Sequence, residues 1–110
     1  MSTAAARNPA ARTAVPIRND AARAEHVATV LRAIAHPLRV RIVATLCRRE
    51  EHVTALAEEL EAPQAIVSQQ LRILRAERLV AARREDGHAY YRIAEPALRD
   101  LVCCMEKCRA

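Results

Sequence analysis

One glycine, Gly87, stands in this chain of 110 residues. Glycine tolerates positive φ and lets a backbone approach a ligand closely. A Walker loop, a dinucleotide fingerprint or any glycine-built phosphate cradle needs several such positions, so all three are excluded. An all-β sandwich is disfavoured as well, because its many turns call for glycine. A small, mostly helical domain remains. Its core must be aliphatic, since the sequence has no Phe and no Trp, and alanine supplies much of its 52% hydrophobic content. Such a core is thin, and association with a second copy would help to stabilise it.

Residues 1–22 are rich in Ala, Arg, Asn and Pro and show no apolar periodicity, and Pro9 and Pro16 interrupt any helix. They read as a disordered basic tail that adds non-specific attraction to DNA. Residues 23–110 read as one domain. From Glu25, the residues Val27, Val30, Leu31 and Ile34 recur at spacings of three and four, which predicts a first helix ending near Ala35. Pro37 suits the first turn of a second helix, running to about Arg48 with Leu38, Ile42, Val43 and Leu46 inward. A third helix spans roughly Val53 to Glu61, with Thr54 available as its cap. A tight turn at Glu61-Ala62-Pro63 leads into a fourth, about Gln64 to Glu77. There Val67, Leu71 and Leu74 face the core, while Ala65, Ser68, Gln69, Arg72 and Arg75 lie opposite.

The period then changes. Leu79 to Ile93 carries β-branched and aromatic residues around Asp86-Gly87, a strong two-residue hairpin signal. Arg83 and Arg84 lie on its first arm, and His88, Tyr90 and Tyr91 on its second. After Pro96 a final helix, Ala97 to about Lys107, holds Leu98, Leu101, Val102, Met105 and three cysteines. The order α-α-α-α-β-β-α is mainly α with a β-hairpin wing, a winged helix-turn-helix.

The residue types suit double-stranded DNA. The net charge is +5, and 17 of the 18 basic residues are arginine. Between Arg72 and Arg84, five arginines stand against Glu77 alone. Gln64, Gln69 and Gln70 can bond adenine edges, Ser68 a base or a phosphate, and Arg72 and Arg75 guanine or phosphate. On the wing, Arg83, Arg84 and His88 are expected to reach the backbone or the minor groove. Nothing supports an enzyme. No Cys-x-x-Cys pair occurs, no paired-carboxylate cleft is indicated, and His26, His36, His52 and His88 are scattered along the chain.

No apolar run is long enough to span a membrane, and the first 24 residues lack the apolar stretch of a secretory signal. The expectation is a cytoplasmic protein with reduced thiols. Three of its four cysteines fall within Cys103-Cys104-Met105-Glu106-Lys107-Cys108. On an ideal helix Cys104 and Cys108 share a face, with Cys103 about 100° away. Three thiolates with no carboxylate or imidazole suit a soft, three-coordinate centre such as As(III) or Sb(III). Zinc would want a fourth ligand, which Cys47 offers, and Cd(II) or Pb(II) could use the same thiolates.

Residues 31–93 resemble the ArsR/SmtB family of metal-responsive repressors. The resemblance is most specific in AIAHPLRVRIV, AIVSQQLRILRAERLV and the wing RREDGHAYYRI. It implies a homodimer formed by the first and last helices, bound to an imperfect inverted repeat and released by an effector. His36 departs from the Asp or Asn usual before the second helix, which implies a weaker cap there. The family's paired-cysteine arsenic site would need Cys near Val53 and Ala55, and neither is Cys. Its last-helix zinc or nickel site finds Glu95 and Ala97 in place of Asp and His, and no His after His88. Some arsenic-responsive members carry a C-terminal cysteine cluster, which Cys103, Cys104 and Cys108 match in kind. Persulfide-sensing members pair a second-helix cysteine with one near the end of the chain. That position falls on Ala44 here, three residues before Cys47, so a thiol redox or persulfide sensor stays an alternative. An effector-free architectural DNA-binding protein is a third reading.

Overall fold

The computed structural model describes residues 15–109. The tail expectation therefore lies outside the described residues up to residue 14. A single 3-10 turn, Ile17–Asn19, precedes α1 (Ala21–Ile34), followed by α2 (Pro37–Leu46), β1 (Glu51–His52), α3 (Val53–Leu60) and α4 (Gln64–Ala76). The wing strands are β2 (Val80–Glu85) and β3 (His88–Ile93), and α5 (Ala97–Met105) completes the described fold. This is a winged helix-turn-helix, as the alternation of periods predicts.

Local chemistry explains where the elements begin. α1 starts four residues before Glu25 because the Asp20 carboxylate accepts from the Arg23 N–H at 3.0 Å, an N-cap inside the stretch read as tail. His36 does cap α2: its Nδ1 accepts from the Leu38 N–H at 3.1 Å, with Pro37 at the first helical position. Before α3 the cap is His52 rather than Thr54, its Nδ1 accepting from the Ala55 N–H at 3.3 Å. β1 was not expected. Its two residues pair with the wing, Glu51 opposite Tyr91 and His52 opposite Tyr90, making a three-stranded antiparallel sheet ordered β1-β3-β2.

Positive φ is not confined to the glycine. The hairpin turns on Asp86 (φ 51°) and Gly87 (φ 81°), but Glu61 (φ 53°) and Arg78 (φ 61°) are left-handed too. Both end helices in Schellman fashion. Ala62 N–H reaches Ala57 O at 3.0 Å after α3, and Leu79 N–H reaches Leu74 O at 3.0 Å after α4. A chain nearly free of glycine thus closes two helices with residues that carry a Cβ, at a conformational cost.

The core is aliphatic. Ile42, Val43 and Leu46 of α2, Leu56 and Leu60 of α3, and Val67, Leu71 and Leu74 of α4 meet Leu79 just before β2, Val80 and Ile93 from the sheet, and Leu98 and Val102 from α5. Among the described residues, no helix is long and apolar enough to cross a membrane.

The left-handed positions give a paired prediction. Gly87→Ala should lower unfolding free energy by about 1 kcal/mol, purely through φ, because a Cβ there meets nothing within 4 Å. Arg78→Gly should raise it by a similar amount, about 1 kcal/mol. Urea unfolding at fixed protein concentration reads both.

Candidate nucleic-acid interface

α3 and α4 are joined through Glu61, Ala62 and Pro63, and they set the outer surface of α4 in one orientation. Val67, Leu71 and Leu74 are 0% exposed, so the opposite side must face outward. Gln64, Gln69, Arg72 and Arg75 are exposed there and Ser68 is half-buried. Arg72 and Arg75 form no ion pair among the described residues, so their charge is available to a polyanion.

Gln70 is a correction. Its position beside Gln69 suggested a base reader, but it is 8% exposed and turned toward α2. Its Oε1 accepts from Arg39 Nη1 at 2.8 Å. Arg39 Nε is buried without a partner, so Gln70 is the group that compensates this guanidinium. The side chain ties α2 to α4. Sequence spacing hints at this, because Gln70 lies three residues after the buried Val67 and four before the buried Leu74.

The wing divides its arginines. Arg83 Nε donates to Glu50 at 3.1 Å, Nη2 lies 3.0 Å from the same carboxylate, and Nη1 donates to Glu85. Its guanidinium also lies over the Tyr90 ring, 5.0 Å from the centroid. The two carboxylates raise its pKa further. Arg83 braces the wing against the segment before β1. Arg84 is exposed and forms no ion pair among the described residues.

The histidines that look scattered in sequence are partly gathered. His52 and His88 stack with centroids 5.0 Å apart, and the Tyr90 ring stands edge-on to His52 at 5.4 Å. β1 makes this possible by placing His52 beside β3. His88, expected to reach nucleic acid, packs one ring face against the cap of α3 and keeps its side chain exposed.

Cys103, Cys104 and Cys108 are exposed free thiols. They do not converge: among the described residues, no three His, Cys, Asp or Glu side chains stand together as metal ligands. The helical face expected to unite Cys104 and Cys108 is interrupted, because α5 ends at Met105. Cys108 N–H instead closes a tight turn on Met105 O at 2.9 Å. Cys47 sits at the end of α2, half-buried, and its carbonyl accepts from Arg99 Nη1 at 2.6 Å. Burial pushes its thiol pKa up, partly opposed by the Arg99 charge, so it is a poor source of thiolate near neutrality.

Comparison with known proteins sharpens what such a surface serves. Residues 36–82 match the bacterial regulatory protein, arsR family. The biofilm growth-associated repressor of Agrobacterium fabrum is 36% identical over 88 residues, 80% of this chain and 75% of that protein. The transcriptional repressor SmtB homologue of Synechocystis is 38% identical over 78 residues, 71% of this chain and 59% of its own length. Among solved structures, the transcriptional repressor BigR from Xylella fastidiosa superposes with a TM-score of 0.78 at 31% identity, over 87% of this chain and all of that one. A homodimeric winged helix-turn-helix DNA-binding domain from Mycobacterium bovis gives 0.69 at 32% identity, over 86% of each chain.

Three substitutions separate structural from DNA-facing roles. Gln70→Ala should cost about 1–3 kcal/mol of stability by stranding Arg39, with base preference unchanged. Arg84→Ala should reduce the salt slope of DNA binding by about 1, whereas Arg83→Ala should change it less. Thermal unfolding and anisotropy titrations across a salt series measure the two effects.

Proposed function

Because this chain belongs to the ArsR/SmtB family and is a DNA-binding transcriptional repressor rather than an enzyme, we propose that it holds an inverted-repeat operator as a homodimer and releases it when Cys103, Cys104 and Cys108 take up a thiophilic metalloid, As(III) or Sb(III). The observation that carries the DNA half is the division of α4. Its inner stripe is wholly buried and its outer surface presents Gln64, Ser68, Gln69, Arg72 and Arg75. Such a helix fits the major groove with the wing alongside, Arg84 meeting phosphate and Arg83 holding the wing's pose. The partner in this proposal is duplex DNA, and the compartment is the cytoplasm.

Dimerisation is supported by an apolar groove of 340 Å³ along α1 and α5, lined by Val27, Val30, Leu31, Ala97, Leu98 and Leu101. Leu31 is 46% exposed there. A two-fold pairing would cover this surface, and the similar domain from Mycobacterium bovis is homodimeric. A monomer in sedimentation at micromolar concentration, with DNA binding intact, would count against the pairing.

The donor set fits the effector: three thiols within six residues supply soft ligands to a three-coordinate centre. When bound, As(III) would link the sulfurs of a segment that is otherwise three separate side chains. The same helix contributes Leu98 and Val102 to the core and Ala97 and Leu101 to the groove. A change in its last turn therefore bears on both packing surfaces, and through them on the spacing of two recognition helices. The redox alternative draws less support, because the half-buried thiol of Cys47 favours its protonated form.

Arsenite or antimonite should weaken operator binding, by about five- to 150-fold for coupling of ordinary size. Cys104→Ser or Cys108→Ser should abolish release while leaving DNA binding intact, and Cys47→Ser should matter little. Gel shifts with arsenite, antimonite, Cd(II), Pb(II) and a persulfide donor distinguish the effectors. A persulfide response lost in Cys47→Ser, with arsenite inert, overturns the metalloid assignment, and no response to any of them favours an architectural role.

A further inference from the structure

Beside its polar row, α4 exposes an aliphatic side chain close to its N-terminus. Ile66, the third residue of the helix, is 42% exposed. A β-branched residue gains nothing there from helix propensity. Ile73, two turns on and along the same flank, is also exposed but faces a cleft shared with Thr29, Arg32, Arg39 and Glu77. Ile66 is a separate case. Its neighbour one turn along is Gln70, which is drawn inward to Arg39 and does not extend over it. On the outer side its neighbours are Ala65 and Gln69, both exposed.

In a helix-turn-helix the N-terminal residues of the recognition helix meet the base edges. The major groove offers such a side chain one apolar group, the C5 methyl of thymine. We propose that Ile66 is a specificity-determining residue that packs on a thymine methyl, while Gln69 bonds a neighbouring base edge. The inference rests on the assignment of α4 as the base-reading helix and adds a methyl contact to its hydrogen-bonding set. Loss of one buried methyl corresponds to about three- to fivefold in affinity.

The test uses the full chain and a pool of random duplexes to select bound sequences. Each thymine of the selected half-site is then replaced in turn by uracil, which lacks the methyl. At one position, uracil should weaken wild-type binding about three- to fivefold. Ile66→Ala should bind thymine and uracil duplexes alike at that position, and Ile66→Val should keep part of the discrimination. Circular dichroism should find both variants folded, because the position is exposed and alanine is a good helix former. If Ile66→Ala retains the full uracil penalty, or no thymine methyl matters to the wild type, the proposal is overturned while α4 keeps its base-reading role. If the wild type enriches no sequence, the base-reading role itself falls, and the methyl contact with it.

Discussion

Burial of a single stripe on α4 is the constraint on which the rest of this structure depends. Val67, Leu71 and Leu74 are fully withdrawn from water and pack against α2, α3 and the sheet. Each contributes about 1.5–3 kcal/mol through burial, in a domain whose whole stability is about 5–15 kcal/mol. Rotating α4 about its axis would expose that stripe, so its outward surface is held in a fixed direction. The helix is a core element that carries an interface on its far side. A base-reading surface needs this arrangement, because paired bonds to base edges tolerate little angular error.

Charge is distributed with similar economy. A net charge of +5 says that the chain favours polyanions, but it does not say which arginines meet one. The fold assigns internal work to some of them. Arg39 is held by Gln70 between helices, Arg83 by Glu50 across the sheet and by Glu85 on its own strand, and Arg99 by the carbonyl of Cys47. Arg72, Arg75 and Arg84 are left exposed on α4 and the wing. The useful field comes from what remains after internal pairing.

α5 has two competing demands on nine residues. Leu98 and Val102 anchor it in the core, while Ala97 and Leu101 line the groove shared with α1. Its thiols occupy the remaining faces and the turn beyond, where helical hydrogen bonding already gives way to tighter bonds at Lys107 and Cys108. A segment with few buried contacts and a loosening backbone is the cheapest part of a fold to reshape. That physical fact makes the end of α5 suited to an effector without dictating which one.

Much of this was legible without coordinates. Stripes such as Val67-Leu71-Leu74 and the break at Asp86-Gly87 follow from period and turn chemistry, which are local properties of the chain. From them the element order, the winged architecture and most of the outer face of α4 can be read. What sequence could not supply depends on partners distant along the chain. Gln70 looks like Gln69 until Arg39, 31 residues earlier, is found beside it. Arg83 looks like Arg84 until Glu50 arrives from before β1. β1 is two residues long and carries no period of its own, and His52 meets His88 only because that strand pairs with β3. The sequence by itself determined which surfaces are apolar and which are charged, since hydrophobic periodicity acts along the chain. Only the tertiary structure decided which polar groups satisfy one another and which stay free, because a buried guanidinium must find its acceptor wherever the fold brings one within reach.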